Sequence, residues 1–356
     1  MRGNTIGKSF MLTTWGESHG LAVGGVIEGC PAGLCIDFEF ITHELNRRKT
    51  GCTPGTTERI EDDKIEILSG ISNNITTGTP IFFKIENQNT KPDDYKNLSE
   101  VYRPSHADFT WEQKFGEFNL SGGGRASARE TVARVAGGAI AKLLLQAYGV
   151  TFRSWVSAIG PFIIKPIETI PELSLINSSS VKCPDKTLSS EMETYIQQLK
   201  TDGDTCGGII TCCILNAPIG LGEPVFDKLE ADLAKAMLSI PSVKGFETGS
   251  GFEGAKAKGS EHNDIFLSDF TTRTNHSGGI QGGISNGMPI NFNVAFKPVS
   301  SIKIPQKTAN KHGKITELKI EGRHDVCVVP RALPIVEAMA ALVLADHVLR
   351  NKTSRI

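Results

Sequence analysis

The sequence predicts a single domain of mixed class, α+β, spanning residues 1–356, and three observations carry that expectation. Short strand-like runs open the chain. Apolar stripes at helical spacing follow in the middle and near the end, and chemically suggestive motifs fall on both sides of the longest polar stretch. At 356 residues, with 39% hydrophobic and 22% charged residues, the chain has the composition of an ordinary globular protein with room for a large core.

The runs Ser9–Trp15 and Leu21–Ile27 read as strands, and Thr42–Arg48 as a short helix ending in Arg47, Arg48 and Lys49. The polar stretch Glu86–Glu100 reads as a surface loop. Residues 128–147 carry Val132, Val135, Ala136, Ala139, Ile140, Leu143 and Leu144 at three- and four-residue steps, one apolar helical stripe. Ser127 and Glu130 before it fit a capping box, the serine accepting from early amides and the glutamate reaching back. Residues 163–198, with Asn177-Ser178-Ser179-Ser180, read as a loop in which Leu188–Leu199 can also form a helix. A second helix is expected over Val225–Leu238, burying Phe226, Leu229, Leu233 and Met237. A third follows Pro334 with Val336, Met339, Leu342, Val343 and Val348. The 37 glycines, often paired, predict close approach of backbone by ligand or by other backbone.

The net charge of -1 gives no overall field for nucleic acid or an acidic membrane, so any anion site must be local. No apolar run of about 18 residues stands out as a membrane span and no signal segment opens the chain, so the cytoplasm is the expected compartment. Eight cysteines without a paired zinc-ligand rhythm read as reduced, mostly buried thiols.

Two motifs mislead. Gly16-Glu17-Ser18-His19-Gly20 matches the G-x-S-x-G nucleophile elbow, yet it lies between two strands and not between a strand and a helix. Gly249-Ser250-Gly251-Phe252-Glu253-Gly254 matches the dinucleotide fingerprint without room for the helix that would hold a pyrophosphate. The segment 122–130 differs: three glycines leave amides uncovered before a capped helix, with Arg125 and Arg129 one turn apart and able to converge on one anion. Arg134 adds a guanidinium on a different face. Arg103-Pro104-Ser105-His106-Ala107-Asp108 sets an acid two residues from a histidine, which would keep His106 protonated near neutral pH. Gly322-Arg323-His324-Asp325 repeats the theme, and Lys297-Pro298-Val299-Ser300-Ser301 offers a cation, two hydroxyls and loop amides to a phosphate.

Together these segments resemble the chorismate synthase family. GESHG at 16–20, RPSHADFT at 103–110, GGGRASARET at 122–131, KPVSS at 297–301 and GRHDVCVVPRALPIVEAM at 322–339 occur in that family's order over nearly the whole chain. The resemblance implies a β-α-β sandwich with helices between antiparallel sheets, a homotetramer, and a lyase. That lyase would convert 5-enolpyruvylshikimate 3-phosphate to chorismate and phosphate by anti-1,4-elimination, using reduced FMN (FMNH2) without net redox change. It implies Arg48, Arg129, Arg134 and Arg331 as substrate clamps, and His19 as the acid that assists the leaving phosphate. His106 would stabilise anionic flavin, and Asp325 would help the flavin take the C6 proton. Flavin contacts would come from Arg125, Ala126, Ser127, Pro241, Ser242, Gly282, Lys297, Pro298, Val299, Ser300, Ser301 and Arg323.

Four positions depart from the family pattern: Asn119 and Ser121, in Asn119-Leu120-Ser121, lack an acid and a cation, Ala126 replaces a serine, and Pro54 stands where many members carry an arginine linked to nicotinamide binding. An external flavin reductase is therefore expected in place of an intrinsic NADPH activity. Two other readings stay open here, a flavin oxidoreductase with net hydride transfer and a non-catalytic anion binder.

Overall fold

The structure is a computed structural model and describes residues 3–49, 61–88, 100–116, 121–165, 169–320 and 324–355. In chain order its strands and helices are β1 (Thr5–Ile6), β2 (Met11–Gly16), β3 (Ala22–Glu28), α1 (Phe38–Arg48), β4 (Ile65–Ile67), β5 (Ile71–Ser72), β6 (Ile75–Thr76), β7 (Ile81–Glu86), α2 (Asp108–Phe115), α3 (Thr131–Gln146), β8 (Thr151–Ile159) and β9 (Phe162–Ile163). There follow α4 (Leu173–Ser178), α5 (Lys186–Asp202), β10 (Gly208–Leu215), α6 (Leu229–Leu238), β11 (Val243–Thr248), α7 (Gly251–Gly254), α8 (Gly259–His262), β12 (Ile280–Gln281), β13 (Ile284–Ser285), β14 (Ile290–Phe296), β15 (Gln306–Ala309), β16 (Ile315–Leu318) and α9 (Val329–Asn351).

Two five-stranded antiparallel sheets, ordered β1-β2-β3-β7-β4 and β11-β14-β10-β8-β9, sandwich a helical layer. The strands alternate as half-covered sheets require: β7 buries Ile81, Phe83 and Ile85, and β14 buries Ile290, Phe292, Val294 and Phe296. Between the sheets α3 packs on α9 and on β2 and β3, while α9 packs on β8 and β10. Central position explains their composition, for 14 of the 16 residues of α3 and 19 of the 23 of α9 are buried. A helix buried on all sides needs apolar residues on all sides. The expected α+β sandwich, with helices between antiparallel sheets, is what the chain forms.

The boundaries differ instructively. Helix α1 begins at Phe38, a turn before the expected Thr42, because Asp37 accepts from the Phe40 amide at 2.9 Å and caps it. Helix α5 realises the helical option for residues 188–199, capped by Asp185. Helix α6 starts only at Leu229. Before it Val225 takes a left-handed φ of 66° and Phe226 is 90% exposed, so Phe226 does not join Leu229, Leu233 and Met237 in the core. Helix α9 starts at Val329, ahead of Pro334, and is long and apolar enough to cross a membrane, contrary to the expectation that no such run exists. Its most apolar 18-residue window is 94% buried inside the fold, which makes it a core helix. The loop expected at 86–100 lies largely outside the described residues. Cys30, Cys183, Cys206, Cys212, Cys213 and Cys327 are buried free thiols and Cys35 is exposed.

Candidate functional site

The GESHG segment is the turn of the β2–β3 hairpin, where Gly16 takes a φ of 89° and pairs with Val23. A side chain at Gly16 would strike the Ala22 carbonyl. Ser18 is 1% exposed and its Oγ lies 3.1 Å from His19 Nδ1, so the serine is not presented as an elbow nucleophile is. His19 is half-buried. The second misleading motif resolves as well. The Glu247 carboxylate accepts from the Phe252 amide at 3.2 Å and fills the turn that a pyrophosphate would need.

Arg125 and Arg129 do not converge. Arg125 donates to Thr14 Oγ1 at 2.8 Å and to the Gly16 carbonyl at 3.2 Å. Arg129 points the other way, donating from Nε to Asn87 Oδ1 at 2.8 Å, from Nη2 to the Glu86 carbonyl at 3.2 Å, and from Nη1 to Asp63. Asp63 also takes Arg48 Nη2 at 2.8 Å. It is 4% exposed and its backbone sits at a φ of 49°, an uncommon conformation held here by two buried ion pairs. Burial opposes ionisation of Asp63, but Arg48 and Arg129 outweigh it and hold the carboxyl below its usual range. Arg331, with its side chain 11% exposed, feels the charges of Arg48 and Asp63 and donates to Asp325 Oδ2 at 2.8 Å. Burial lowers the pKa of Arg129 and Arg331, yet guanidinium stays protonated at neutral pH. Arg48, Arg129 and Arg331 therefore form one array around two carboxylates, close to the His19 turn.

Arg134 belongs elsewhere. It donates to Glu130 Oε2 and Ser239 Oγ, at 2.8 and 2.7 Å, and lines a cavity of about 400 Å³ together with Arg125. Lys235 supplies a third cation there, and Leu12, Trp111, Pro241 and Met339 supply apolar wall. The faces are thus the reverse of the sequence expectation. The capping box is half-formed: Ser127 accepts weakly from the Arg129 amide at 3.4 Å, while Glu130 turns to Thr14 Oγ1 at 2.9 Å and to Arg134.

A third cluster joins His106 to the KPVSS segment. Ser301 Oγ lies 3.0 Å from His106 Nε2, Ser300 Oγ donates to the Ser105 carbonyl at 3.3 Å, and Lys297 reaches Ser300 Oγ. Protonation of His106 by its neighbouring acid does not occur. Asp108 is engaged by Arg103 through Nε and Nη2, at 2.7 and 2.6 Å, and burial together with the Arg103 charge pushes the His106 pKa down to about 4. His106 is a neutral imidazole at pH 7 in this state. Ser242, at a φ of 71°, meets this cluster through its carbonyl, which accepts from the Lys297 amide at 2.8 Å.

Of the residues expected to hold flavin, Arg125, Ala126 and Pro241 line the 400 Å³ cavity. Gly282 does not. Its hairpin adjoins the start of α6, where the Leu229 amide bonds the Gly283 carbonyl, about 15 Å from the α6 end that walls the cavity. Arg323, Pro54, Asn119 and Leu120 lie outside the described residues. Sequence reasoning missed Asp63, Asn87, Lys235 and Ser239. Adjacent arginines that must be buried call for a carboxylate, so the Asp62-Asp63 pair carried a signal; Asn87 carried none.

Comparison with known proteins bears directly on this geometry. The family model for chorismate synthase matches residues 10–349, which include every cluster described above. Chorismate synthase of Christiangramia forsetii is 56% identical over 356 residues, covering 100% of both chains, and that of Parabacteroides distasonis is 54% identical over 353 residues, covering 98% of this chain and 99% of its own. A crystal structure of chorismate synthase superposes with a TM-score of 0.75 at 31% identity, covering 97% of this chain and 93% of the other. With its fold, its full length and its ordered motifs all shared, the chain belongs to the chorismate synthase family, enzymes that serve the shikimate pathway as lyases.

Proposed function

We propose that the chain converts 5-enolpyruvylshikimate 3-phosphate to chorismate and inorganic phosphate by anti-1,4-elimination, with reduced FMN as a cofactor that ends each cycle reduced. The observation that carries this reading is the array of Arg48 and Arg129 on Asp63 and Arg331 on Asp325, with Arg129 tied through Asn87 to the His19 turn. A substrate with two carboxylates and a phosphate loses its hydration on binding, and several fixed guanidinium groups are the chemistry that replaces it.

The residues present suit FMN. A cavity of about 400 Å³ with Arg125, Arg134 and Lys235 at its polar side and Trp111, Leu12 and Met339 at its apolar side accommodates a ring carrying a phosphate. Ser127, Ser242, the Lys297–Ser301 segment and Arg323 would add contacts, and Gly282 with them only where a further surface brings it near. When bound there, reduced FMN would supply electron density for cleavage of the C3–O bond with no net redox change. His19 donates a proton to the departing phosphate oxygen. Arg48, Arg129 and Arg331 orient the substrate's anionic groups, with Arg134 bordering the flavin cavity. Asp325, oriented by Arg331, assists removal of the C6 proton. His106, a neutral imidazole in this structure, would hold a proton towards an anionic ring bound beside it.

Pro54 supports dependence on a separate flavin reductase. Exposed Phe226, Phe252 and Phe270 support assembly into a homotetramer that would cover them, which sedimentation measures directly. The activity is tested by anaerobic incubation with the substrate and either photoreduced or oxidised FMN. Chorismate and phosphate are expected only with reduced flavin, and no product with either rejects the proposal.

A further inference from the structure

We infer that Asn87 is a positioning residue that sets the His19 turn against the Arg129 clamp, an inference that rests on His19 acting as the acid for the leaving phosphate. Asn87 follows β7 and faces the β2–β3 turn. Its Nδ2 donates to the Glu17 carbonyl at 3.0 Å and to the Gly20 carbonyl at 2.8 Å, spanning the residues on either side of Ser18 and His19. Its backbone amide donates to the Leu21 carbonyl at 3.0 Å. On its other side Oδ1 accepts from Arg129 Nε at 2.8 Å, and Arg129 is fixed further by Asp63 and by the Glu86 carbonyl.

One carboxamide thus holds the hairpin turn through its two donors and the guanidinium through its acceptor. Chemistry makes that choice specific. Two carbonyl oxygens require two N–H donors on one atom, and a guanidinium N–H requires an acceptor on the other. Aspartate, of the same shape, keeps the acceptor for Arg129 but faces the Glu17 and Gly20 carbonyls with an oxygen in place of the NH2. Asn87→Asp therefore releases the His19 side while leaving the Arg129 side engaged, and separates proton delivery from substrate clamping. A turn free to shift by about an ångström loses on the order of 100-fold in rate.

The experiment compares wild type, Asn87→Asp and Asn87→Ala under anaerobic turnover with 5-enolpyruvylshikimate 3-phosphate and photoreduced FMN, each alone and combined with His19→Ala. Wild-type turnover is read first, so that failure of the proposed activity is seen separately from failure of this inference. Asn87→Asp is expected to lower kcat by about 10- to 100-fold with KM kept within about threefold. In the His19→Ala background the same substitution should change kcat by less than about twofold, because the group it positions is gone. Asn87→Ala should lower kcat and also raise KM, since it removes one of the three anchors of Arg129 as well; if the aspartate variant fails to fold, the same loss of effect of Asn87→Ala on kcat against His19→Ala decides. Unchanged kcat, a rise in KM alone for Asn87→Asp, or equal losses of kcat with and without His19 would overturn the role.

Discussion

His106 shows how far a local pattern reaches and where it stops. The spacing of His106 and Asp108 predicts a charged imidazole, but Arg103 claims the carboxylate and burial disfavours the charge. The sign of the consequence follows. With a folded pKa of about 4 against an unperturbed value of about 6.5, the unfolded chain binds the proton first. The stability this group contributes is fully present above about pH 6.5 and is lost as pH falls towards 4. His106→Gln should therefore lose less stability than wild type between about pH 7 and pH 5 in denaturant titrations; equal losses would mean that His106 is not held neutral. At the same scale, the arginines of the proposed substrate array were legible as residue types, and their partners were not. That Arg125 and Arg129 part company depends on which strand each faces, Thr14 on β2 or the end of β7, and no helical spacing encodes it.

Among the elements, α3 and α9 fix the site's frame. They cross at Gly138, where an added Cβ would stand 2.3 Å from Ala338 Cβ. Gly138→Ala should cost about 1–3 kcal/mol by overpacking, despite alanine's better helix propensity, as a shift in the urea midpoint. A stabilised variant would show that the helices do not meet there. Beside the crossing, Glu337 of α9 accepts from half-buried Arg47 of α1 and from buried Lys142 of α3 and Ser154 of β8. Burial opposes its charge, yet Arg47 and Lys142 hold its carboxyl well below the usual range. Glu337→Ala leaves Arg47 and Lys142 short of a partner and should destabilise by about 3–5 kcal/mol, again read from urea unfolding. A loss below about 1 kcal/mol would place the network in water. The stripe of α3 was plain in the sequence because its period is regular. The true starts of α6 and α9 were not, because Val225, Phe226 and Pro334 fit a helical pattern while contacts elsewhere decide where the helix begins.

At the scale of the whole molecule, the two antiparallel sheets bring loops from distant parts of the chain to one end of the helical layer. Residues 16–20, 63, 87, 129 and 325–331 meet only through that packing. Alternation within strands and stripes within helices made the layers readable, while sheet order, which pairs β3 with β7 and β14 with both β10 and β11, depends on long-range closure. The resemblance of ordered motifs supplied what periodicity lacks, a proposed substrate and a proposed flavin cofactor. The proposed cycle lends the flavin and does not consume it. Its most direct measurement is the number of chorismate molecules formed per molecule of reduced FMN in a sealed anaerobic cuvette, with the flavin spectrum followed to completion. Many products per flavin, with the flavin still reduced at the end, is the expected result. One product per flavin, with the spectrum of oxidised FMN growing in step, would contradict it.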